Sequence, residues 1–400
     1  MKRILFVDDE PAVLDGLRAR LRCLRSSWEM VFVESGARAI AEIEQRSVDV
    51  IVSDMRMPVM DGAQLLASVA ERWPETVRIV LSGYSEEEKT ARLLSVAHQH
   101  LSKPCDVLQL ENAINRCFQL HELLREQRLR AIVGRIRQIP AMPRVYSKLR
   151  AAMGRDDVSV QEIAQIVCED PAIAAKVLQV VNSSFFRIAR RIARVDQAIS
   201  YLGFAAIRNI VMSVEVFSQW QGKAPAPELD PEHLQARAQK LAATARALAE
   251  GTSFVDDAML AGLLHNIGYW VLLQECPLEL ERALLMARAR SIPLHVAERE
   301  VIGASHAEIG AYLLGLWGLP HAVVEAVAFH HEPDRVAHTH FDVLAAIVIA
   351  RHVTAEESLA GVAPRADAAA NDKYLQSLHV PYDWHEAQQR ASKACGDADL

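Results

Sequence analysis

Between residue 1 and about residue 120, short apolar runs rich in β-branched side chains alternate with amphipathic stretches. The runs are Ile4 to Val7, Met30 to Val33, Val48 to Val52 and Val77 to Leu81, with a weaker fifth near His100 to Ser102. Between them, Ala37 to Ile43 and Ala63 to Val69 carry helical spacing, Pro11 sits at a helix start, and Ser85 with Glu88 reads as a capping box. Strands that alternate with helices pair in parallel and bury both sheet faces. The predicted fold of this part is therefore α/β, a doubly wound five-stranded parallel sheet.

The residues that close these runs carry chemistry. The first ends in Asp8 and Asp9, the third in Asp54, the fourth in Ser82 and the fifth in Lys103 and Pro104. In an open parallel sheet the carboxyl ends of the strands line one crevice. Three carboxylates crowded there repel one another and call for a cation, and an all-oxygen set suits Mg²⁺. Such a metal neutralises the oxygens of an incoming phosphoryl group. Asp54 stands alone on the central strand, which makes it the candidate nucleophile for an acyl phosphate. Lys103 supplies a compact positive charge and Ser82 a hydroxyl donor.

Residues 107–137 read as one long connecting helix whose segment HELLREQRLRAIVGRIRQ has Gly134 as its one breaker. Both a solvated linker and a homodimer seam fit that composition. From Ile139 the pattern is helix after helix. Ser159 with Glu162 forms a capping box, Asp170 caps a helix that starts at Pro171, and Ile173, Val177, Val180 and Val181 share one face. The proline-rich stretch 221–231 divides this region, and 341–400 reads as a C-terminal helical extension or tail.

The six cysteines, at 23, 105, 117, 168, 276 and 395, form no CxxC pair, which argues against a disulfide framework and for reduced thiols. No apolar run approaches the ~18 residues of a membrane helix. The opening MKRILFVDDE is too short in apolar residues for a signal peptide, so the expected location is the cytoplasm. A net charge of −7 argues against a chain-wide nucleic-acid surface. A basic run, FFRIARRIAR, carries Arg187, Arg190, Arg191 and Arg194, read first as a solvated face and second as a patch for an acidic partner.

Residues 1 to about 120, with Asp8, Asp9, Asp54, Ser82 and Lys103, resemble the receiver domain of two-component response regulators. That resemblance implies Mg²⁺ contacts from Asp9, Asp54 and the Arg56 carbonyl, with Asp8 through water. It also implies a sensor histidine kinase as phosphate source and a switch position at His100, usually aromatic. Residues 138 to about 340 resemble the HDOD family, a signalling branch of the HD phosphohydrolases. The matching pieces are IPAMPRVYSKL, CEDPAIAAKVLQVVNSSFF, AISYLGFAAIRNIV, LAGLLHNIG, ASHAEIGAYLLGLWGLP and AFHH. By that likeness His265, Asn266, His306, His330 and His331 mark a vestigial metal site. Asn266 replaces an aspartate, Arg237 a histidine and Arg351 a late aspartate, and the GYP signature of the phosphodiesterase branch is absent.

Arginine at a ligand position repels a cation, and a binuclear centre needs anionic ligands to hold dications roughly 3.5–4 Å apart. The favoured reading is a response regulator in which phosphorylated Asp54 signals to a non-catalytic HDOD domain that binds a protein partner, with no transition metal in that domain. The alternative is a metal-dependent phosphohydrolase acting on a nucleotide or cyclic dinucleotide under receiver control. A third reading, a DNA-binding regulator, rests on the arginine run alone.

Overall fold

A computed structural model describes residues 2–82, 97–103, 107–123, 127–136, 148–149, 152–153, 155, 158–182, 191–203, 207, 224–336, 340–354, 374 and 389. It divides into two compact units, the first centred on Met1–Arg137 and the second on the helical remainder. Ser85, Glu88, Pro104, Arg187 and Arg190 lie outside the described residues.

In the first unit β1 (Lys2–Val7), β2 (Trp28–Val33), β3 (Val50–Asp54), β4 (Val77–Ser82) and β5 (Gln99–Ser102) form one sheet. Its order is β2-β1-β3-β4-β5, and each neighbouring pair is parallel. Ile4 to Val7 and Val50 to Val52 are buried, as central strands covered on both faces must be. Helices α1 (Pro11–Arg20), α2 (Gly36–Gln45) and α3 (Gly62–Arg72) make crossovers. The chain leaves β1 for β2 on one side and reaches β3 on the other, so the winding reverses between β1 and β3. Val7 pairs with Ser53 there, which brings Asp8 and Asp54 out of the sheet side by side.

The turn after β3 is tied back against that strand. Gly62 N–H donates to the Met55 carbonyl at 2.9 Å, and Asp61 and Gln64 cap α3 reciprocally. A Cβ at Gly62 would overlap the Asp54 carbonyl oxygen, so only glycine lets the helix start this close to the strand. Val59, in the same turn, is fully exposed and takes a positive φ of 69°.

The stretch read as one connecting helix comprises α4 (Val107–Leu123) and α5 (Gln127–Arg135), with 124–126 outside the described residues. Phe118 of α4 lies 6.3 Å from Trp28, with the Lys2 ammonium 4.4 Å from its ring centre. The following helix does not run free. Leu129, Val133 and Ile136 are buried, and the Arg78 guanidinium donates to the Gly134 carbonyl at 2.8 Å and to the Pro74 and Thr76 carbonyls.

The helical unit contains α6 (Val160–Cys168), α7 (Pro171–Val181), α8 (Pro231–Leu248), α9 (Val255–Leu264) and α10 (Ile267–Glu275). It continues with α11 (Pro277–Arg290), α12 (Leu294–Ile302), α13 (His306–Leu316), α14 (His321–Phe329) and α15 (Val343–Val353). Local caps set the starts. Asp170 accepts from the Ala172 and Ile173 N–H groups, and Ser159, Asp230 and Asp342 do the same for α6, α8 and α15. Helices α8, α9, α14 and α15 pack on one another. Gly268 opens the path for α10 against α13, since a Cβ there would overlap the His306 carbonyl oxygen. Arg194, from the basic run, is paired with Asp196. Among the described residues no helix is long and apolar enough to cross a membrane.

Gly62→Ala should cost about 1–3 kcal/mol, the range for forcing atoms into a filled site. Urea unfolding of the first unit checks it; an unchanged midpoint would show that the turn is free to shift.

Candidate functional site

Two clusters of chemistry-bearing side chains stand out, one in each unit. In the first, Asp8 is 1% and Asp54 7% exposed, so two carboxylates share a nearly dry crevice. Lys103 answers both: its Nζ lies 2.6 Å from Asp54 Oδ1 and 2.7 Å from Asp8 Oδ2. The backbone fixes the carboxylates further. Arg56 N–H donates to Asp54 Oδ2 at 3.1 Å, and Glu10 N–H donates to Asp8 Oδ1 at 3.0 Å. The Ser53 hydroxyl donates to the Asp54 carbonyl at 2.8 Å.

Burial pushes the Asp54 carboxyl above its ordinary value; Lys103 and the Arg56 N–H pull it back without cancelling the rise, and Asp8 adds to it. For Lys103, burial alone would lower the ammonium pKa, yet the hydrogen bonds and charges of Asp54 and Asp8 win and raise it. Asp9 joins Asp8 and Asp54 in a set whose ligand oxygens all lie within 4.8 Å of one another. Three carboxylates so placed fit Mg²⁺. Ser82 closes β4, in register with Ser102, and His100 pairs with Val80; their side chains lie outside the described residues.

In the helical unit the structure gathers the five residues picked from the sequence. The rings of His265 and His330 meet edge-on at 5.5 Å, and His306 stands 5.8 Å from His330 and 5.0 Å from His331. Asn266 follows His265 at the start of α10. The ligand nitrogens of His306, His330 and His331 lie within 4.8 Å of one another.

Hydrogen bonding sets the tautomers. The Arg351 guanidinium can only donate, and it reaches His331 Nδ1 at 3.2 Å. The His331 proton therefore sits on Nε2, which faces His306 Nε2 at 3.2 Å. His306 accepts there and donates from Nδ1 to Glu298 Oε2 at 2.8 Å, where its backbone N–H also ends. His265 and His330 each direct Nδ1 to a carbonyl, of Gly262 at 2.7 Å and of Val327 at 2.8 Å. The result is a wire from Arg351 through His331 and His306 to Glu298.

His330 and His331 follow the end of α14, where the helix dipole favours a cation. Burial holds both well below the ordinary imidazole value, and the Arg351 charge lowers them further. Three participants were missed: Glu298, His295 and Tyr269. Tyr269 stacks on His306 at 3.9 Å, and His295 on His331 at 4.2 Å. Glu298 did leave a signal. It falls between Leu294 and Ile302 at i+4 spacing, on the apolar face of α12, where a charge needs a partner.

These residues do not fit a two-metal hydrolytic centre. Among the described residues Glu298 is the carboxylate hydrogen-bonded within the cluster, its Oε2 is taken by His306, and the Arg351 guanidinium stands 3.2 Å from His331, where its charge repels a cation.

Comparison with known families agrees with the division of the chain. Residues 4–115 match the response regulator receiver domain, and residues 139–333 match the HDOD domain. An uncharacterized protein of Treponema pallidum is 29% identical over 204 residues, 50% of this chain and 39% of that protein. The hydrogenase transcriptional regulatory protein HoxA of Bradyrhizobium diazoefficiens is 34% identical over 152 residues, 36% of this chain and 31% of that protein. The chain thus spans well under half the length of these curated relatives. A virulence factor of Campylobacter jejuni has a similar fold, with a TM-score of 0.50 at 20% identity, covering 68% of this chain and 96% of that one.

Buried neutral imidazoles bind fewer protons folded than unfolded, so stability is present at neutral pH and lost as pH falls through the unfolded value near 6.5. His295, lowered to about 3 by burial, joins His330 and His331 in this, and Glu298, held low by His306 against its burial, adds to the loss at still lower pH. Between pH 7 and pH 5 each histidine should withdraw about 1–2 kcal/mol. Urea midpoints of the helical unit's transition across that range check this; a flat profile would show that the imidazoles protonate without penalty.

Proposed function

Since the chain joins a response regulator receiver domain to an HDOD domain, we propose that Asp54 accepts a phosphoryl group from a histidine kinase and that the HDOD domain passes the signal to a protein partner without catalysis of its own. The observation that carries this is the Lys103 ammonium between Asp54 and Asp8 in a crevice at the winding reversal of the sheet. In the reaction, an Asp54 oxygen bonds to phosphorus as the bond to the donor's imidazole nitrogen breaks. That nitrogen leaves with the electron pair and takes up a proton. Asp8, Asp9 and Asp54, with the Arg56 carbonyl, would hold Mg²⁺, which neutralises phosphoryl oxygens when bound. Lys103 keeps Asp54 ionised before attack and supplies a compact charge to the phosphoryl oxygens after it. Ser82 would donate to the same group, and His100 would answer it as the switch position. Such a pairing of parts belongs in the cytoplasm.

A second reading, an HD-type phosphohydrolase acting on a nucleotide or cyclic dinucleotide, draws on the closeness of His306, His330 and His331. Against it stand the tautomer wire, Asn266, and two arginines at positions that call for ligands.

Wild-type protein should incorporate phosphate from acetyl phosphate with Mg²⁺, and Asp54→Ala should incorporate none; persistent labelling in the variant would move the phosphoacceptor elsewhere. The helical unit should turn over no nucleotide with Mn²⁺, Fe²⁺ or Ni²⁺. Turnover that disappears in His330→Ala would establish the second reading.

A further inference from the structure

The histidine cluster of the helical unit holds an imbalance that its hydrogen bonds leave standing. Arg351 is 4% exposed, and its partners are the His330 carbonyl and His331 Nδ1, neither of them charged to match it. Arg237, on α8, buries one guanidinium nitrogen that has no partner among the described residues. Both guanidinium groups lie within electrostatic reach of Tyr269, which stacks on His306. Among the described residues, the carboxylate hydrogen-bonded within the cluster is Glu298, and its Oε2 already serves His306. An uncompensated buried charge is costly, and an anion is the direct remedy.

The unpartnered atoms narrow the anion. Among the described residues the buried donors left without acceptors include Arg237 Nη1 and Asn266 Nδ2, and the buried acceptors left without donors include His330 Nε2. Asn266, Glu298 and His330 are all more than nine-tenths buried. Chloride, sulfate and carboxylate ions bring acceptors alone. A phosphoryl group that keeps one proton brings oxygens for the two donors and an O–H for an acceptor.

We propose that the HDOD cluster is a phosphoryl-anion site, in which Arg237 and Arg351 supply the positive charge that metal ions supply in a hydrolytic HD centre. Arg237 and His331 are partly exposed. Retained phosphate without a metal-activated water makes this a ligand sensor rather than a hydrolase. The site is separate from Asp54, and its failure would leave the phosphoacceptor reading untouched.

The test uses the full chain carrying Lys103→Ala, so that the receiver crevice offers no lysine to phosphate, and EDTA to remove divalent ions. Calorimetric titration with inorganic phosphate should show one site, with sulfate binding more weakly. Arg237→Gln and Asn266→Asp should each weaken phosphate binding about tenfold or more, the scale of one hydrogen bond to a charged group. Asn266→Asp is nearly isosteric, and thermal melts of both variants check that they fold. Adenosine monophosphate that competes with phosphate would identify the occupant as a phosphorylated small molecule; phosphate that binds without such competition would identify the free ion. No phosphate binding, binding unchanged in both folded variants, or binding that returns only with Mn²⁺ would overturn the proposal.

Discussion

Two nearly buried carboxylates side by side cannot both stay ionised without a cation, and the receiver unit is organised around that constraint. Asp8 and Asp54 emerge together because β1 and β3 are neighbours in register at the reversal of the sheet. Lys103 reaches them because β5 ends on the same edge, two strands from β3 and three from β1. The capped start of α3, with glycine at position 62, keeps the turn after Asp54 close enough for the Arg56 N–H to hold its second oxygen. Remove the lysine and the crevice holds an acidic cluster; remove the strand order and it holds separated acids.

The helical unit meets the converse problem. Here a guanidinium is buried against neutral acceptors, and two of the imidazoles, His306 and His331, are committed to each other. Arg351 fixes the tautomer of His331, which fixes that of His306, which ends on Glu298. A chain of this kind is worth more than its separate bonds when every member is satisfied. It is satisfied along the wire and unsatisfied beside it, at Asn266, His330 and Arg237. One unit thus sets a cation between buried carboxylates, whereas the other sets a buried guanidinium against imidazoles.

The receiver was legible in sequence because its site residues sit at the ends of apolar runs, where period and chemistry coincide. Asp8, Asp54 and Lys103 could be assigned roles before any coordinates. In the helical unit the ligand positions were legible by resemblance, but their protonation was not. Whether His331 is a cation at a helix end or a neutral acceptor for Arg351 depends on burial and on a residue 20 positions away. Glu298 was readable as a misplaced charge on an apolar face, though its partner His306, on another helix, was not. The connecting stretch shows the same limit: its composition left a solvated linker and a dimer seam open, and the packing of Leu129, Val133 and Ile136 follows from contacts far away in sequence.

If guanidinium groups stand in for metal in the helical unit, that unit holds no transition metal. Elemental analysis of the full chain, purified without chelator and dialysed against metal-free buffer after exposure to Mn²⁺, Fe²⁺ and Zn²⁺, tests this most directly. The account predicts no retained transition metal. One or two tightly held ions per chain, lost in His306→Ala, would contradict it and return the helical unit to the hydrolases.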